Sequence, residues 1–316
     1  MIKRTTAVVL CMVAAVLMLC SCGGEDSFTD GKINIVCTVF PQYDMLRNII
    51  KGSDSINPVL LLDKPTDPHS YQPVASDVIT LGFCDAVIYT GGDSDVWVED
   101  ILNASENAAT VKCSLMKELG ETELYCISHE HSHSEEEHHG HSHDEHIWLS
   151  PKKAIKLCDI ITRLIISLDV ENKALYEENA RVYKEELTEL DREYEKVISE
   201  RKRDTLLFAD RFPFLYLTED YSLSYAAAYT GCSAESEVSA ATVIDLISAV
   251  DTLSLPVILI TETGTDELAI TVKENSAEKN QEILVINSVQ SVKDPENASY
   301  VKIMKDNLIV LGEALG

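Results

Sequence analysis

Nine histidines occur in the 316 residues, and eight of them fall between His129 and His146. The run reads His129, His131 and His133, then His138 and His139, then His141 and His143, and ends at His146, with six acidic residues interleaved. Neutral imidazole is the commonest protein ligand for a transition metal and suits zinc, copper, nickel and iron. A stretch without apolar residues cannot build a core, so 129–146 is expected to be a solvated loop without fixed structure. Such a loop can still wrap a metal, because its ligands lose their ordering entropy only on binding. No structural demand calls for so many histidines in one run. Imidazole alone does not select zinc, and the intrinsic affinity order favours copper.

The ninth histidine, His69, stands alone in Asp67-Pro68-His69-Ser70-Tyr71-Gln72-Pro73. It follows a short apolar run, Pro58 to Leu62, and precedes a helical pattern expected to start near Pro73. The segment Glu145-His146-Ile147-Trp148-Leu149-Ser150-Pro151 also lies just before a helix. Around these two elements, strands and helices alternate. Lys32–Val39 reads as a strand, a helix carries Met45, Leu46, Ile49 and Ile50, and Asp85–Tyr89 is a strand ended by Gly91-Gly92. Alternation of this kind argues for a parallel sheet with helices on its faces.

From Pro151 to Arg203 the pattern changes to two helices, broken near Asp169–Asn172, the second about 30 residues long. Strands then resume at Thr205–Ala209, Tyr225–Tyr229, Pro256–Thr261 and Ile283–Ile286, and Ala298–Leu315 closes the chain as a helix. The expected fold class is α/β: two lobes with parallel-type sheets flanked by helices, joined by one long rigid helix. The N-terminal lobe spans 32–150, the helical segment 151–203 and the C-terminal lobe 204–316. Open α/β sheets hold ligands at the carboxyl ends of their strands, so the cleft between the lobes is the natural site.

The chain begins with Lys3 and Arg4, followed by an uncharged apolar run from Ala7 to Leu19. That run is shorter than the ~20 residues that cross a bilayer, so residues 1–21 read as a secretory signal and 22–31 as a tether. A formal net charge of −27 excludes nucleic acid and anionic lipid as partners. Outside the signal region the cysteines are Cys37, Cys84, Cys113, Cys126, Cys158 and Cys232. None forms a C-x-x-C pair, and Cys37 and Cys84, beside apolar runs, read as buried thiols. No His-Glu-x-x-His helix, G-x-S-x-G turn or P-loop occurs, so no enzyme is expected.

Taken in order, the Asp67–Pro73 motif, the Gly91-Gly92 turn with Trp97 after it, and His146-Ile147-Trp148-Leu149-Ser150-Pro151 resemble the zinc/manganese solute-binding proteins of bacterial ABC transporters, the ZnuA-like cluster A-I family. The resemblance covers nearly the whole chain after the signal. It implies a metal between two lobes and delivery of that metal to an ABC permease. Within this family a long His-rich loop goes with zinc rather than manganese. Leu19-Cys20-Ser21-Cys22 resembles the bacterial lipobox, which implies acylation of Cys22 and an extracytoplasmic monomer anchored to the cell membrane.

By position, His69 and His146 match the family's two N-lobe metal ligands. The C-lobe departs from the pattern. The family's third histidine follows the first C-lobe strand, where this chain reads Ala209-Asp210-Arg211-Phe212-Pro213-Phe214, and no histidine follows His146. The family's late carboxylate would fall near Ile286-Asn287-Ser288, where there is none. Zinc also accepts carboxylate oxygens, so the C-lobe candidates are Asp210, then Glu262, then Glu235 with Glu237. Two histidines with carboxylates make a harder site, which keeps a manganese or iron carrier open beside zinc. A His-rich lipoprotein that only buffers zinc, or an adhesin, is a further alternative. Because the ligands must be deprotonated, affinity is expected to fall as pH drops through about 6.5.

Overall fold

The computed structural model describes residues 28–64, 66–127, 143–229, 231 and 238–316. Its N-terminal lobe is a four-stranded sheet of β1 (Ile33–Cys37), β2 (Ile56–Leu60), β3 (Ala86–Tyr89) and β4 (Val111–Ser114). The order is β2-β1-β3-β4, with every pairing parallel. The C-terminal lobe repeats this plan with β5 (Thr205–Phe208), β6 (Ser224–Ala227), β7 (Val257–Thr261) and β8 (Glu282–Ile286), ordered β6-β5-β7-β8 and again all parallel. Parallel strands need crossover connections. In the first lobe α1 (Phe40–Ile49), α2 (Ala75–Phe83) and α3 (Val96–Ala104) supply them, followed by a short α4 (Leu115–Leu119).

Two helices separate the lobes, α5 (Pro151–Leu168) and α6 (Lys173–Ser199). The break between them falls where the sequence placed it. Ser150 caps α5 by accepting the N–H of Lys153, and Pro151 opens its first turn, where a missing N–H costs nothing. The 27 residues of α6 span about 40 Å. It buries Tyr176, Ala180, Tyr183, Leu187, Leu190, Tyr194 and Ile198, a spacing of three and four that makes one continuous apolar stripe. The stripe serves both lobes. Near its start, Asn179 donates to the carbonyls of Ile49 and Lys51. Near its end, the Tyr194 hydroxyl donates to Met304 O in α10 (Tyr300–Leu315). The remaining helices are α7 (Leu215–Asp220), α8 (Ala240–Leu253) and α9 (Glu267–Asn275).

One buried cluster runs through both lobes, from Ile35 and Ile88 past Tyr176, Leu187 and Tyr194 to Phe208, Leu259 and Leu311. Smaller clusters lie outside each sheet. Polar contacts cross the same seam. Asp44 of α1 accepts the backbone N–H of Tyr300, the Tyr300 hydroxyl donates to Trp148 O, and Trp148 Nε1 donates to Ser288 O. The lobes are therefore welded by a shared core, which the cleft edges inherit as rigidity.

Cys37, Cys84, Cys113 and Cys158 are buried free thiols and Cys126 is exposed. Among the described residues, no helix is long and apolar enough to cross a membrane. The sequence reading missed β4, α3 and α9. It also took 129–146 as one unstructured loop. Residues 129–142 lie outside the described residues, but its end is ordered: His143 bridges to Cys126, and Asp144, Glu145 and His146 are buried.

Candidate metal centre

His69 sits in a short 3-10 turn, Pro68–Ser70, entered from β2. Asp67 caps that turn, its Oδ1 accepting the His69 N–H at 3.0 Å. His146 precedes a second 3-10 turn, Ile147–Leu149, that leads into α5. The two imidazoles meet with Nε2 to Nε2 at 3.0 Å. Two ligands on a tetrahedral zinc, each at ~2.0–2.1 Å, sit roughly 3.3 Å apart. The pair thus needs to open by only a few tenths of an ångström to admit the ion.

Each imidazole is held from behind at Nδ1. Asp144 Oδ1 lies 3.1 Å from His146 Nδ1 and also accepts the His146 backbone N–H at 2.8 Å. An acceptor there places the proton on Nδ1 and leaves the Nε2 lone pair facing inward. Asp144 is itself fixed, since the Tyr216 hydroxyl from the C-lobe donates to its backbone oxygen at 2.9 Å. His146 also packs edge-on against Trp148, ring centroids 5.4 Å apart.

On the other ring, Ser94 Oγ lies 2.7 Å from His69 Nδ1. With Nε2 of His146 bare, the 3.0 Å contact requires His69 to donate from Nε2 and to accept from Ser94 at Nδ1. A serine hydroxyl both donates and accepts. The same contact therefore serves the other tautomer, in which Nε2 of His69 is free for a metal. Glu145 completes the wall. Its Oε1 accepts the Ser94 N–H at 2.8 Å and its Oε2 lies 3.9 Å from His69 Nδ1. Gly92 permits this approach, since a Cβ there would meet the Glu145 carboxylate at 2.5 Å.

Burial pushes the His69 imidazole down to about 4, helped by the neighbouring His146 and opposed by Asp67 and Asp144. A free imidazole titrates near 6.5, so this ring stays neutral to a lower pH than a free one. Burial also pushes the Asp95 carboxyl up to about 7, against the N–H groups of Gly91 and Thr90 that it accepts.

The C-lobe candidates have other work. Asp210 Oδ2 accepts both the N–H and the hydroxyl of Thr261, at 2.8 and 2.5 Å, and packs on Gly264, where a Cβ would meet it at 1.9 Å. Glu262 accepts the N–H and hydroxyl of Ser288 at 2.8 and 2.6 Å. Both carboxylates stand at strand ends, as the sequence placed them, but they brace loops of their own lobe. Among the described residues no group of three or more His, Cys, Asp or Glu is gathered to hold a metal, and Asp210 and Glu262 bond within their own lobe rather than to the histidine pair. Glu235, Glu237 and the loop histidines 129, 131, 133, 138, 139 and 141 lie outside the described residues. His143 Nε2 lies 3.8 Å from Glu121 Oε2.

Sequence reasoning missed Ser94, Asp144, Glu145 and Arg211. Ser94 could have been found from its place just past β3, beside the switch in strand order where such sheets bind ligands. Asp144 and Glu145 were read as loop acids, yet Asp144 is 1% exposed. Arg211 reaches from the C-lobe to Asp67 Oδ2 at 2.5 Å.

Two parallel α/β lobes of identical strand order, with a histidine pair beyond a strand end of the first, are the plan in which open sheets hold ligands. The chain belongs to the ZnuA family, described as zinc-uptake complex component A, periplasmic, whose profile matches residues 35–314. That family is a component of an uptake system and not an enzyme family. The zinc-binding lipoprotein AdcA of Streptococcus pneumoniae is 30% identical over 314 residues, and the chain spans 60% of that protein's length. The high-affinity zinc uptake system protein ZnuA of Bacillus subtilis is 26% identical over 96% of the chain and 95% of its own length. The Zn(II)-bound ZnuA-like domain of Streptococcus pneumoniae AdcA superposes with a TM-score of 0.72 at 27% identity, covering 90% of this chain and 99% of the domain.

Proposed function

We propose that this chain is an extracytoplasmic receptor that captures zinc between His69 and His146 and delivers it to an ABC permease for import. The observation that carries the reading is the 3.0 Å approach of the two Nε2 atoms, with each Nδ1 already engaged by Asp144 or Ser94. Orientation from behind is what metal-ligating histidines share. The names of the relatives support zinc as the cargo over manganese or iron. A relative named a lipoprotein, and the Leu19–Cys22 sequence, support a lipid anchor on Cys22, from which the chain would work as a tethered monomer. The histidines from His129 to His143 would act as a secondary, weaker collector beside the cleft. The first ligands are assigned to the N-lobe histidines, and Asp210 and Glu262, whose carboxylates keep acceptor capacity beyond their bonds to Thr261 and Ser288, remain the candidate ligands from the C-lobe.

The test is cellular. Cells lacking this chain should accumulate less zinc under chelator limitation, and the wild-type gene should restore uptake where the H69A/H146A variant does not. Full restoration by that variant would refute the reading.

A further inference from the structure

The C-lobe meets the histidine pair with a cation. Arg211 follows β5, and its Nη1 lies 2.5 Å from Asp67 Oδ2. The other oxygen of the same carboxylate accepts the His69 N–H at 3.0 Å. A single carboxylate therefore ties a C-lobe guanidinium to the N-lobe turn that carries His69. Both partners are partly withdrawn from water, with side chains 33% and 21% exposed. The guanidinium is also near enough to His69 to oppose a positive charge on its ring.

We propose that Arg211 is a cationic latch that sets the metal affinity of the cleft. The proposal rests on the zinc reading above. Arg211 acts twice in the same direction. It neutralises the charge of Asp67, which would otherwise attract a cation to the His69 turn. Its own positive charge, one carboxylate away from the His69 turn, also repels a cation held there, a repulsion that a doubly charged ion feels twice over. The latch adds a polar tie at the histidine pair to two lobes already joined by their shared core. At an unchanged association rate, a weaker site is a faster-releasing one, which suits a carrier that must surrender its ion. Arg211 touches no metal in this scheme: it is a positioning and tuning residue that works through Asp67 and through its charge.

The test uses zinc competition against a chromophoric chelator on the soluble chain, with wild type, R211Q, R211K and D67N side by side. R211Q should bind zinc about tenfold tighter or more at low salt. R211K, which keeps the charge, should stay near wild type. The gain in R211Q should shrink between ~0.01 M and ~1 M salt, as the Debye length falls from about 30 to about 3 Å. D67N keeps the cap on the His69 turn but leaves the guanidinium unpaired, and should bind more weakly than wild type. It serves as the second reading if R211Q does not fold. Unchanged or weaker binding in R211Q, equal behaviour of R211K and R211Q, or wild-type binding in D67N would overturn the latch. Failure of the zinc reading looks different: the wild-type chain itself would then show no site that depends on His69 and His146.

Discussion

The Asp144→Asn substitution removes one charge and almost nothing else. Asp144 is 1% exposed, accepts from His146 Nδ1 at 3.1 Å, and holds the His146 N–H at 2.8 Å. Asparagine keeps the shape and one acceptor oxygen, so the ring should stay in place. What is lost is the negative charge behind the ligand. Across the imidazole, that charge lies about 7 Å from a bound zinc. Coulomb's law then gives about 1 kcal/mol in bulk water and about 4–5 kcal/mol at an effective dielectric of ~20. Losing the outer partner of a metal-ligating histidine commonly costs 10–100-fold in affinity, or ~1.4–2.8 kcal/mol, which lies inside those bounds. Zinc competition with a chelator should therefore show D144N weakened by about 10–100-fold, with a circular dichroism spectrum like that of wild type. Unchanged affinity in a folded D144N protein would refute the argument, because His146 would then not be a ligand presented by its carboxylate.

In the metal-free chain, His69 should titrate by NMR with a midpoint near 4, against about 6.5 for a free imidazole. The folded value is depressed, so the neutral ring's contribution is intact above pH 6.5 and is lost as pH falls from 6.5 towards 4. Wild type should lose up to about 3 kcal/mol relative to H69Q across that window, and parallel stability profiles would contradict the assignment. Deleting 129–142 should leave one tight zinc site and remove weaker ones. Loss of all binding in that deletion would place the metal chemistry in the loop.

The two-lobe plan was readable because its signals are local. Short apolar runs ended by Gly or Pro marked the strands, and the apolar series Tyr176, Tyr183, Leu187, Leu190, Tyr194 and Val197, uninterrupted by Gly or Pro, marked the long helix. What was missed has physical causes. β4 has four residues, two of them exposed, so its alternation is too short to register. The exposed faces of α3 and α9 carry Val96 and Ile270, which blurs their helical period. The sequence singled out His69 because it is the one histidine outside the run, and His146 because it closes the run just before a helix; the structure brings these two rings together. Their orienting partners were not singled out, because Ser94, Asp144 and Glu145 are types that also fill loops. Only the folded chain brings residues 69, 94 and 144–146 together. Asp210 and Glu262 stand at strand ends as the sequence placed them, and there they also accept from the neighbouring loop groups of Thr261 and Ser288, a need of strand ends that residue type alone does not reveal.

The most direct test is calorimetric titration of zinc into the soluble chain beginning at Ser27, beside the H69A/H146A double variant. The account predicts one tight site in the wild-type protein that disappears in the variant, while weaker sites persist in both. A variant that binds as tightly as wild type would contradict it, and the histidine pair at 3.0 Å would then be a structural contact only.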